Sequence, residues 1–326
     1  MSEGAPILVT GPDRSGTSLM YALLASHSNI SMSRRTNMWR WFYDKYGDLN
    51  RPADFERCLQ TMLRYERMQV LQPDEDRIRE EFLDGEASYG RLFALFHGHF
   101  AELRGKERWG DKSLHTEHHA DQVFCEFPSA RMIHLMRDPR DRYGSIKKRY
   151  DRPQKGVAPA TGRWLTSTWA ARRNLRRYPG RYMVVRYEDL ASRPEETLEE
   201  VCEFVGESYE SSMLSMGDAP DHGAIGGNSS FGQMEPGTIS TRSIGRFRTV
   251  LSPEEIAYIQ MSCGRYMEGY GYRYESTGLS SRERLTFLVK DAPLTSIRVA
   301  GWITIDRVRE LRGRTVPDRR LGDASL

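Results

Sequence analysis

Arg14, Ser15, Thr17 and Ser18 lie in the segment Gly11-Pro12-Asp13-Arg14-Ser15-Gly16-Thr17-Ser18-Leu19-Met20, whose residue types suit an anion. A short apolar run, Ile7 to Thr10, precedes it, and an apolar helical stretch, Leu19 to Leu24, follows. The pattern predicts a strand, a glycine-bearing turn and a helix N-terminus, whose backbone N–H groups and dipole attract negative charge. The outline is that of a Walker A loop, with glycines at positions 11 and 16. Such a loop carries Lys directly after the second glycine. Here Thr17 stands in that place, and the cation is Arg14, on the other side of Gly16. The segment is therefore expected to hold a phosphate-like group, but not as an ordinary ATPase does. Asp13, an acidic neighbour in such a loop, is expected to point outward.

A second anion-binding candidate is Arg137-Asp138-Pro139-Arg140-Asp141-Arg142-Tyr143-Gly144-Ser145. Arg137 ends an apolar run and Ser145 follows about two helical turns later. Arginine offers a planar fork matched to phosphate, and serine adds a hydroxyl donor. The competing reading is a solvated basic helix face.

The elements that must position these residues alternate. A strand at Ile7–Thr10 leads to a helix from about Thr17 to His27, then a short strand near Asn29–Ser33. Residues 53–104 read as helical, with Phe55, Leu59, Met62 and Leu63 at three and four spacing and Pro73 as an interruption. A strand near Arg108–Gly110 precedes Asp111-Lys112-Ser113, and a helix from about Thr116 to Phe127 follows. Arg131–Met136 reads as a buried parallel strand, and Pro139 fits the first turn of the next helix. Residues 160–178 are helical and Tyr182–Arg186 is a strand. Ser192-Arg193-Pro194-Glu195 and Ser252-Pro253-Glu254-Glu255 have the form of capping boxes. Residues 206–245, rich in Gly, Ser and Asp, read as a long loop region. The alternation predicts an α/β fold, a P-loop-like three-layer arrangement with a central, mainly parallel sheet flanked by helices. Ligands of such sheets bind at the carboxyl ends of the strands. Arg14, the Asp111-Lys112 turn, Arg137 and the Arg186-Tyr187 pair are thus expected along one cleft.

The 326 residues carry a net charge of +3, with 48 basic and 45 acidic residues. That balance argues against a nucleic-acid partner, which calls for a strongly basic face. Cys58, Cys125, Cys202 and Cys263 form no CxxC pair; reduced, buried thiols are expected, with no disulfide framework or zinc site. No apolar run is long enough to span a membrane, and the first strand starts too near Met1 for a signal peptide, so a cytoplasmic location is expected. Oligomeric state is not legible.

Together the two anion motifs resemble the PAPS-dependent sulfotransferases (PAPS is 3′-phosphoadenosine-5′-phosphosulfate), in their broad bacterial and Golgi-like branch. Gly11–Leu19 is similar to the family's 5′-phosphosulfate loop, and Arg137 to Ser145 to its 3′-phosphate motif with the spacing intact. Val184-Val185-Arg186-Tyr187-Glu188-Asp189-Leu190 resembles the family's Y-E-D-L segment. Gly245-Arg246-Phe247-Arg248, followed by Leu251-Ser252-Pro253-Glu254-Glu255, resembles G-R-W-R and L-S-x-E-E. The resemblance covers roughly residues 6–275, here taken as domain 1–275 with a helical insert at 53–104. Residues 276–326 are then a C-terminal extension, partly disordered or packed on the surface.

The resemblance implies transfer of a sulfuryl group from PAPS to a hydroxyl or amine of a carbohydrate, glycolipid or secondary metabolite, leaving PAP. It implies no metal and no nucleic-acid partner. Arg14 takes the place of the family's catalytic cation, with Ser15, Gly16, Thr17 and Ser18 around the 5′-phosphate. Arg137 and Ser145 would hold the 3′-phosphate, Arg246 would reach it, and Tyr187 would contact adenine. Asp111-Lys112-Ser113-Leu114-His115 resembles the family's D-K-[ST]-P-x-H turn, which implies Lys112 on the sulfuryl oxygens. The stretch Ser33–Met38 lacks the Glu that Golgi-type relatives use as base. His115, ordinarily titrating near about 6.5, is the leading substitute, against a helix-capping or packing role; Glu86 and Asp111 are weaker ones. His118 and His119 lack a third metal ligand and are expected on an exposed helix. The alternative activity is a P-loop nucleotide kinase, for which the Gly-Lys-Ser/Thr is missing.

Trp39, Trp41, Phe42, Tyr43 and Tyr46 follow the second strand and suit either an acceptor pocket or ordinary core. Trp164 and Trp169 are expected in the core, and the arginine-rich tail in solvent.

Overall fold

The computed structural model describes residues 5–149, 156–219, 238–311 and 316. Five strands, β1 (Ile7–Thr10), β2 (Ile30–Arg34), β3 (Arg108–Lys112), β4 (Arg131–Met136) and β5 (Tyr182–Arg186), form one sheet. Their order is β2-β3-β1-β4-β5 and every neighbouring pair is parallel. All five strands are short, and β1, β4 and β5 are mostly apolar, as strands covered on both faces are. Side chains of β1 alternate between two cores: Leu8 faces one, Ile7 and Val9 the other. The period of two thus divides the molecule into three layers, an α/β architecture of the P-loop-like kind.

Eleven helices on the path to the site are α1 (Thr17–Ala25), α2 (Met38–Trp41), α3 (Pro52–Arg64), α4 (Glu66–Gln69), α5 (Glu75–Leu83), α6 (Tyr89–Leu103), α7 (Ala120–Glu126), α8 (Pro139–Arg149), α9 (Val157–Arg177), α10 (Tyr187–Ser192) and α11 (Pro194–Val205). Met20, Leu23 and Leu24 of α1 join Leu198 and Val201 of α11 in the core with Ile7 and Val9. Phe55, Leu59 and Met62 of α3, Phe93 and Phe96 of α6, and Trp164 of α9 fill the other core with Leu8 and Met136. Pro139 occupies the first turn of α8, where its missing N–H costs nothing.

Several expectations need correction. Ser192 does not cap α11: it still belongs to α10, and the chain turns at Arg193, which precedes Pro194 without a side-chain cap. Ser252 does cap the helix Pro253–Gly269, with a full capping box through Glu255. Trp169 is not core. It is 43% exposed, because α9 buries the stripe through Trp164, Leu165, Thr168 and Ala171 and turns residue 169 away. Cys125 is exposed, whereas Cys58, Cys202 and Cys263 are buried free thiols. Trp39, Phe42 and Tyr46 are buried in the α6-side core, with Trp39 edge-on to Phe93 and Phe42 stacked on Tyr46. That is a packing role; Trp41 and Tyr43 are partly buried against the same core.

Beyond residue 275, Ser281–Thr286, a π-helical turn Phe287–Asp291 and the helix Ala292–Leu311 run on from one another. Phe287, Ala292 and Val299 pack with Ala158 of α9 and Tyr258. Trp302 lies so close to Gly162 that a Cβ there would stand 2.6 Å from its ring. Of the long loop region, 206–219 and 238–245 are described and include a 3-10 turn, Ser211–Ser215; residues 220–237 lie outside the described residues.

Candidate active site

Parallel strands put their carboxyl ends on one edge, and there the expected residues gather. Arg14 follows β1, Lys112 ends β3, Arg137 follows β4 and Tyr187 follows β5. The sheet order reverses at β1, which pairs with both β3 and β4. That is the topological switch point at which open α/β sheets take their ligands.

The loop after β1 needs both of its glycines. Gly11 has φ +129 and a Cβ would lie 2.4 Å from the carbonyl oxygen of Leu135 in β4. Gly16 has φ +92 and a Cβ would lie 2.6 Å from the Tyr187 ring. The backbone therefore lies flat on its neighbours and turns into α1. Ser15 Oγ is buried and has no hydrogen-bond partner among the described residues. A buried hydroxyl is normally bonded, so this one suits an incoming acceptor such as a phosphate oxygen.

Arg14 adopts φ 68 and its Nε donates to Ser145 Oγ at 3.0 Å. The two anion motifs, far apart in sequence, are thus joined side chain to side chain. Arg137 donates to the Arg14 carbonyl at 3.1 Å and to the Ser243 carbonyl at 2.7 Å. Its guanidinium stacks over the Tyr187 ring, 4.4 Å from the centroid. Tyr187 OH in turn pairs with Ser243 Oγ at 2.6 Å. Tyr187 is buried, with Arg137 on its face, Gly16 at its edge and its hydroxyl engaged. This is a bracing position under both motifs, not the open ring face that stacking on adenine requires.

Carboxylates lock the second motif. Asp141 accepts from the backbone N–H groups of Gly245 at 2.6 Å and Phe247 at 2.9 Å, which fixes the segment carrying Arg246. Burial raises the Asp141 pKa, against the opposing pull of Arg137. Glu188 accepts from Asp138 N at 3.0 Å and so ties α10 to the start of α8. Asp138 holds Arg140 through Nε at 3.0 Å and Nη2 at 2.7 Å. Trp164 Nε1 donates to the Arg137 carbonyl at 2.9 Å. Asp13 does not point idly outward. Its carboxylate pairs with the buried Arg142, whose Nε also donates to the Asp13 carbonyl at 2.8 Å. Asp13 thereby pins the first anion loop to the helix of the second.

Lys112 is buried, and burial, with Arg35 and Arg34 next in weight, pushes its pKa down to about 7. Asp111 opposes the repulsion and Arg14 adds to it. Asp111 points across the sheet, where it accepts from Ser33 Oγ at 2.8 Å beside His97. Glu86 lies exposed in the turn between α5 and α6. His115 has φ 74, and Arg163 Nη1 lies 2.8 Å from its Nδ1 and 2.6 Å from its Nε2. Burial and then Arg163 hold its pKa well below 6.5, so the imidazole is neutral at pH 7. His118 is exposed and His119 half-buried.

A third metal-type ligand does stand beside these histidines: atoms of His115, Glu117 and His118 lie within 4.8 Å of one another. They are already engaged. Glu117 accepts from Thr10 and Ser167, and His115 faces Arg163. Burial alone would raise Glu117, yet His118, His134 and the hydroxyl donors outweigh it and hold the carboxylate at about 2. Glu117 thus reads as a buried polar brace under β1, with His115 and the exposed His118 at its edge.

Four of the seven described non-glycine residues with positive φ are Arg14, Arg35, Asn37 and His115. All four border this strand edge. Such backbone costs of order 1–3 kcal/mol each and clusters where function requires it. Arg142, Arg163 and Ser243 are contributors that sequence reading missed, Asp13 was given the wrong orientation, and Trp164 lies in the core as expected. Arg142 alone carried a signal, as a third arginine in the Arg137 motif.

Residues 6–211 match the model of the Sulfotransferase family. A stretch of 114 residues, 34% of the chain, is 31% identical to carbohydrate sulfotransferase 1 of Danio rerio and spans 26% of it. The sulfotransferase domain from the Synechococcus PCC 7002 olefin synthase has a similar structure: TM-score 0.59, 20% identity, covering 84% of this chain and 98% of that one. The sulfotransferase domain from the curacin biosynthetic pathway gives 0.54 at 18% identity, over 83% and 99%. At these identities the structural likeness is one of fold. No helix among the described residues is long and apolar enough to cross a membrane.

Proposed function

The chain belongs to the sulfotransferase family, and on that premise we propose that it transfers the sulfuryl group of PAPS to a hydroxyl or amine of a carbohydrate, glycolipid or secondary-metabolite acceptor. The bond between sulfur and the bridging 5′-phosphate oxygen breaks, a bond from sulfur to the acceptor atom forms, the acceptor loses its proton, and PAP leaves. Such an in-line transfer rests on positioning and on charge stabilisation. The reading assigns this work to residues 1–275.

Arg14 neutralises the charge that grows on the bridging oxygen. Ser15, Gly16, Thr17 and Ser18 receive the 5′-phosphate at the N-terminus of α1. Arg137, Ser145 and Arg246 receive the 3′-phosphate, and Tyr187 braces them from below. Lys112 meets the sulfuryl oxygens; an anionic donor beside it raises its pKa and keeps it charged. His115 is the acceptor-side base, neutral as a base must be. The acceptor hydroxyl must displace Arg163 Nη1 from one ring nitrogen before it can hand over its proton. No residue in this scheme calls for a metal.

The observation that carries the proposal is the direct Arg14–Ser145 contact, 3.0 Å from Nε to Oγ. It supports one ligand bearing two phosphate-type groups, engaged by both motifs at once. Thermal denaturation with PAP, ADP and ATP tests this, since a ligand selective for the folded state raises its stability. PAP alone is expected to stabilise strongly; equal stabilisation by ADP, which lacks the 3′-phosphate, refutes the assignment and favours a nucleotide kinase. Arg14→Ala should still bind PAP but lose about 10²–10³ in transfer of labelled sulfate from PAPS.

A further inference from the structure

The helix Ala292–Leu311 has two apolar faces. One is accounted for: Ala292 and Val299 are buried against α9, and Trp302 and Ile303 lie beside them. At roughly 100° per residue, Leu294, Ile297, Gly301, Ile305 and Val308 fall on the opposite side, in a stripe roughly 80° wide. Their side chains are exposed, Ile297 by 70% and Ile305 by 52%. Gly301 has open space around it. The stripe continues the exposed Leu285 and Val289 of the preceding turns.

Scattered apolar residues on a surface need no explanation, but a continuous stripe on a long helix does. Its flanks supply one. Arg282, Arg284, Lys290, Arg298 and Arg307 are all exposed. The acidic residues of the same stretch are mostly turned inward: Asp306 faces Arg163 at 3.6 Å and Glu310 pairs with Arg40 at 2.5 Å. Glu283 is spent in the capping box of Ser280. The outward side is therefore apolar in the middle and cationic at the edges, the make-up of a helix that lies in a membrane interface. A second copy of the chain fits less well, because a two-fold contact would set this basic border against itself.

We propose that the outward face of the C-terminal helix docks on an anionic lipid bilayer, with Leu294, Ile297, Ile305 and Val308 inserted at the headgroup boundary and the flanking arginines on lipid phosphates. The helix lies in the plane of the surface and does not cross it. The inward face of the same helix meets Arg163 and Arg40, so docking brings the His115 side of the site within about one helix diameter, about 10 Å, of the headgroups. Binding to lipid stands on this face alone and is independent of whether sulfuryl transfer is the activity.

Co-sedimentation of the full chain with vesicles of phosphatidylcholine, with and without phosphatidylserine, tests it. Binding is expected only with phosphatidylserine and should weaken as salt is added. Ile297→Asp with Ile305→Asp should lower partitioning at least about tenfold, since two insertable side chains are lost. Arg298→Glu with Arg307→Glu, which leaves the packed face untouched, should do so as well. A melting temperature and far-ultraviolet circular dichroism spectrum like the wild type's, without ligand, show that the fold of each variant is intact. Absence of wild-type binding, or binding that neither double variant reduces, overturns the proposal. Sedimentation velocity that shows a dimer abolished by Ile297→Asp with Ile305→Asp, without vesicle binding, also overturns it and gives the face to a second copy.

Discussion

Lys112 should make the protein less stable than it need be. Burial, with the guanidinium groups of Arg35 and Arg34 next in weight, brings its folded pKa to about 7 from the ordinary 10.5. Each pKa unit corresponds to about 1.36 kcal/mol, so the roughly 3.5 units set a ceiling of about 5 kcal/mol on the cost of keeping the ammonium in the fold. Relaxation and water penetration lower the cost and the pKa shift together, so about 5 kcal/mol is the upper bound that goes with a folded pKa of about 7. The sign follows from proton counting. Below about pH 7 both folded and unfolded chains hold the proton, and the full penalty applies. Between about 7 and 10.5 the unfolded chain holds a proton that the folded chain lacks, so this group makes stability rise with pH.

Lys112→Met keeps an unbranched side chain of similar length and removes the charge. At about pH 6 the variant should melt a few degrees above the wild type, and near pH 9 the gap should shrink to less than half. Transfer from PAPS should be lost over the same range. Melting curves of both proteins at the two pH values, with a labelled-sulfate assay alongside, read all three. A variant less stable at about pH 6, or a stability difference equal at both pH values, refutes the reasoning. Lys112 would then be a compensated structural lysine.

Asp13→Ala removes the carboxylate of the buried Arg142, which among the described residues keeps the carbonyls of Asp13 and Ala160; because Asp13 is itself partly exposed, a loss of about 1–3 kcal/mol is expected by denaturant melting, and a neutral result removes its anchoring role. Gly16→Ala places a Cβ 2.6 Å from the Tyr187 ring at a φ of +92; the shift in melting temperature given by PAP should disappear while the unliganded fold persists, and an unchanged shift argues against the loop as the phosphate cradle. The affinity for PAPS in the absence of acceptor, measured by calorimetry, should fall by up to about tenfold per pH unit above about 7, because binding must then charge Lys112 by taking up a proton; proton uptake that does not appear in buffers of different ionisation enthalpy contradicts this.

The local parts of the site were legible because phosphate chemistry dictates them. A glycine turn after an apolar strand, a displaced Arg14, and Arg137 with Ser145 at helical spacing follow from what an anion needs. The layered fold was legible for a similar reason: Ile7–Thr10 and Arg131–Met136 are apolar runs too short for helices and covered on both faces. What joins the parts was not. Asp13 and Arg142 meet because β1 and β4 are neighbours in the sheet, a relation that no periodicity carries. Arg163 reaches His115 because α9 packs over the turn after β3. Trp169 was misread for the same reason: which stripe of α9 is buried depends on the elements laid against it. Ser192 carried a capping-box pattern, but the preceding short helix α10 runs through it.

The two halves of the site also differ in how their charge is managed, and the difference bears on mechanism. On the side proposed for the 3′-phosphate, arginines are matched with carboxylates: Arg140 with Asp138, Arg142 with Asp13. Asp141 and Glu188 spend theirs on backbone N–H groups. Such pairing contributes little net stability but fixes geometry, which suits a group that recognises a ligand and does not react. Around Lys112 the balance runs the other way, with Arg35 and Arg34 repelling it, Asp111 opposing and Arg14 adding to the repulsion. Left-handed backbone at Arg14, Arg35, Asn37 and His115 adds strain at the same edge. Repulsion of this kind at Lys112 is relieved by a ligand carrying negative charge, and most of all when that charge is growing on a bridging oxygen. Under the proposed sulfuryl transfer, the repulsion that lowers the stability of the unliganded fold would favour the transition state over the ground state, which is what accelerates a transfer.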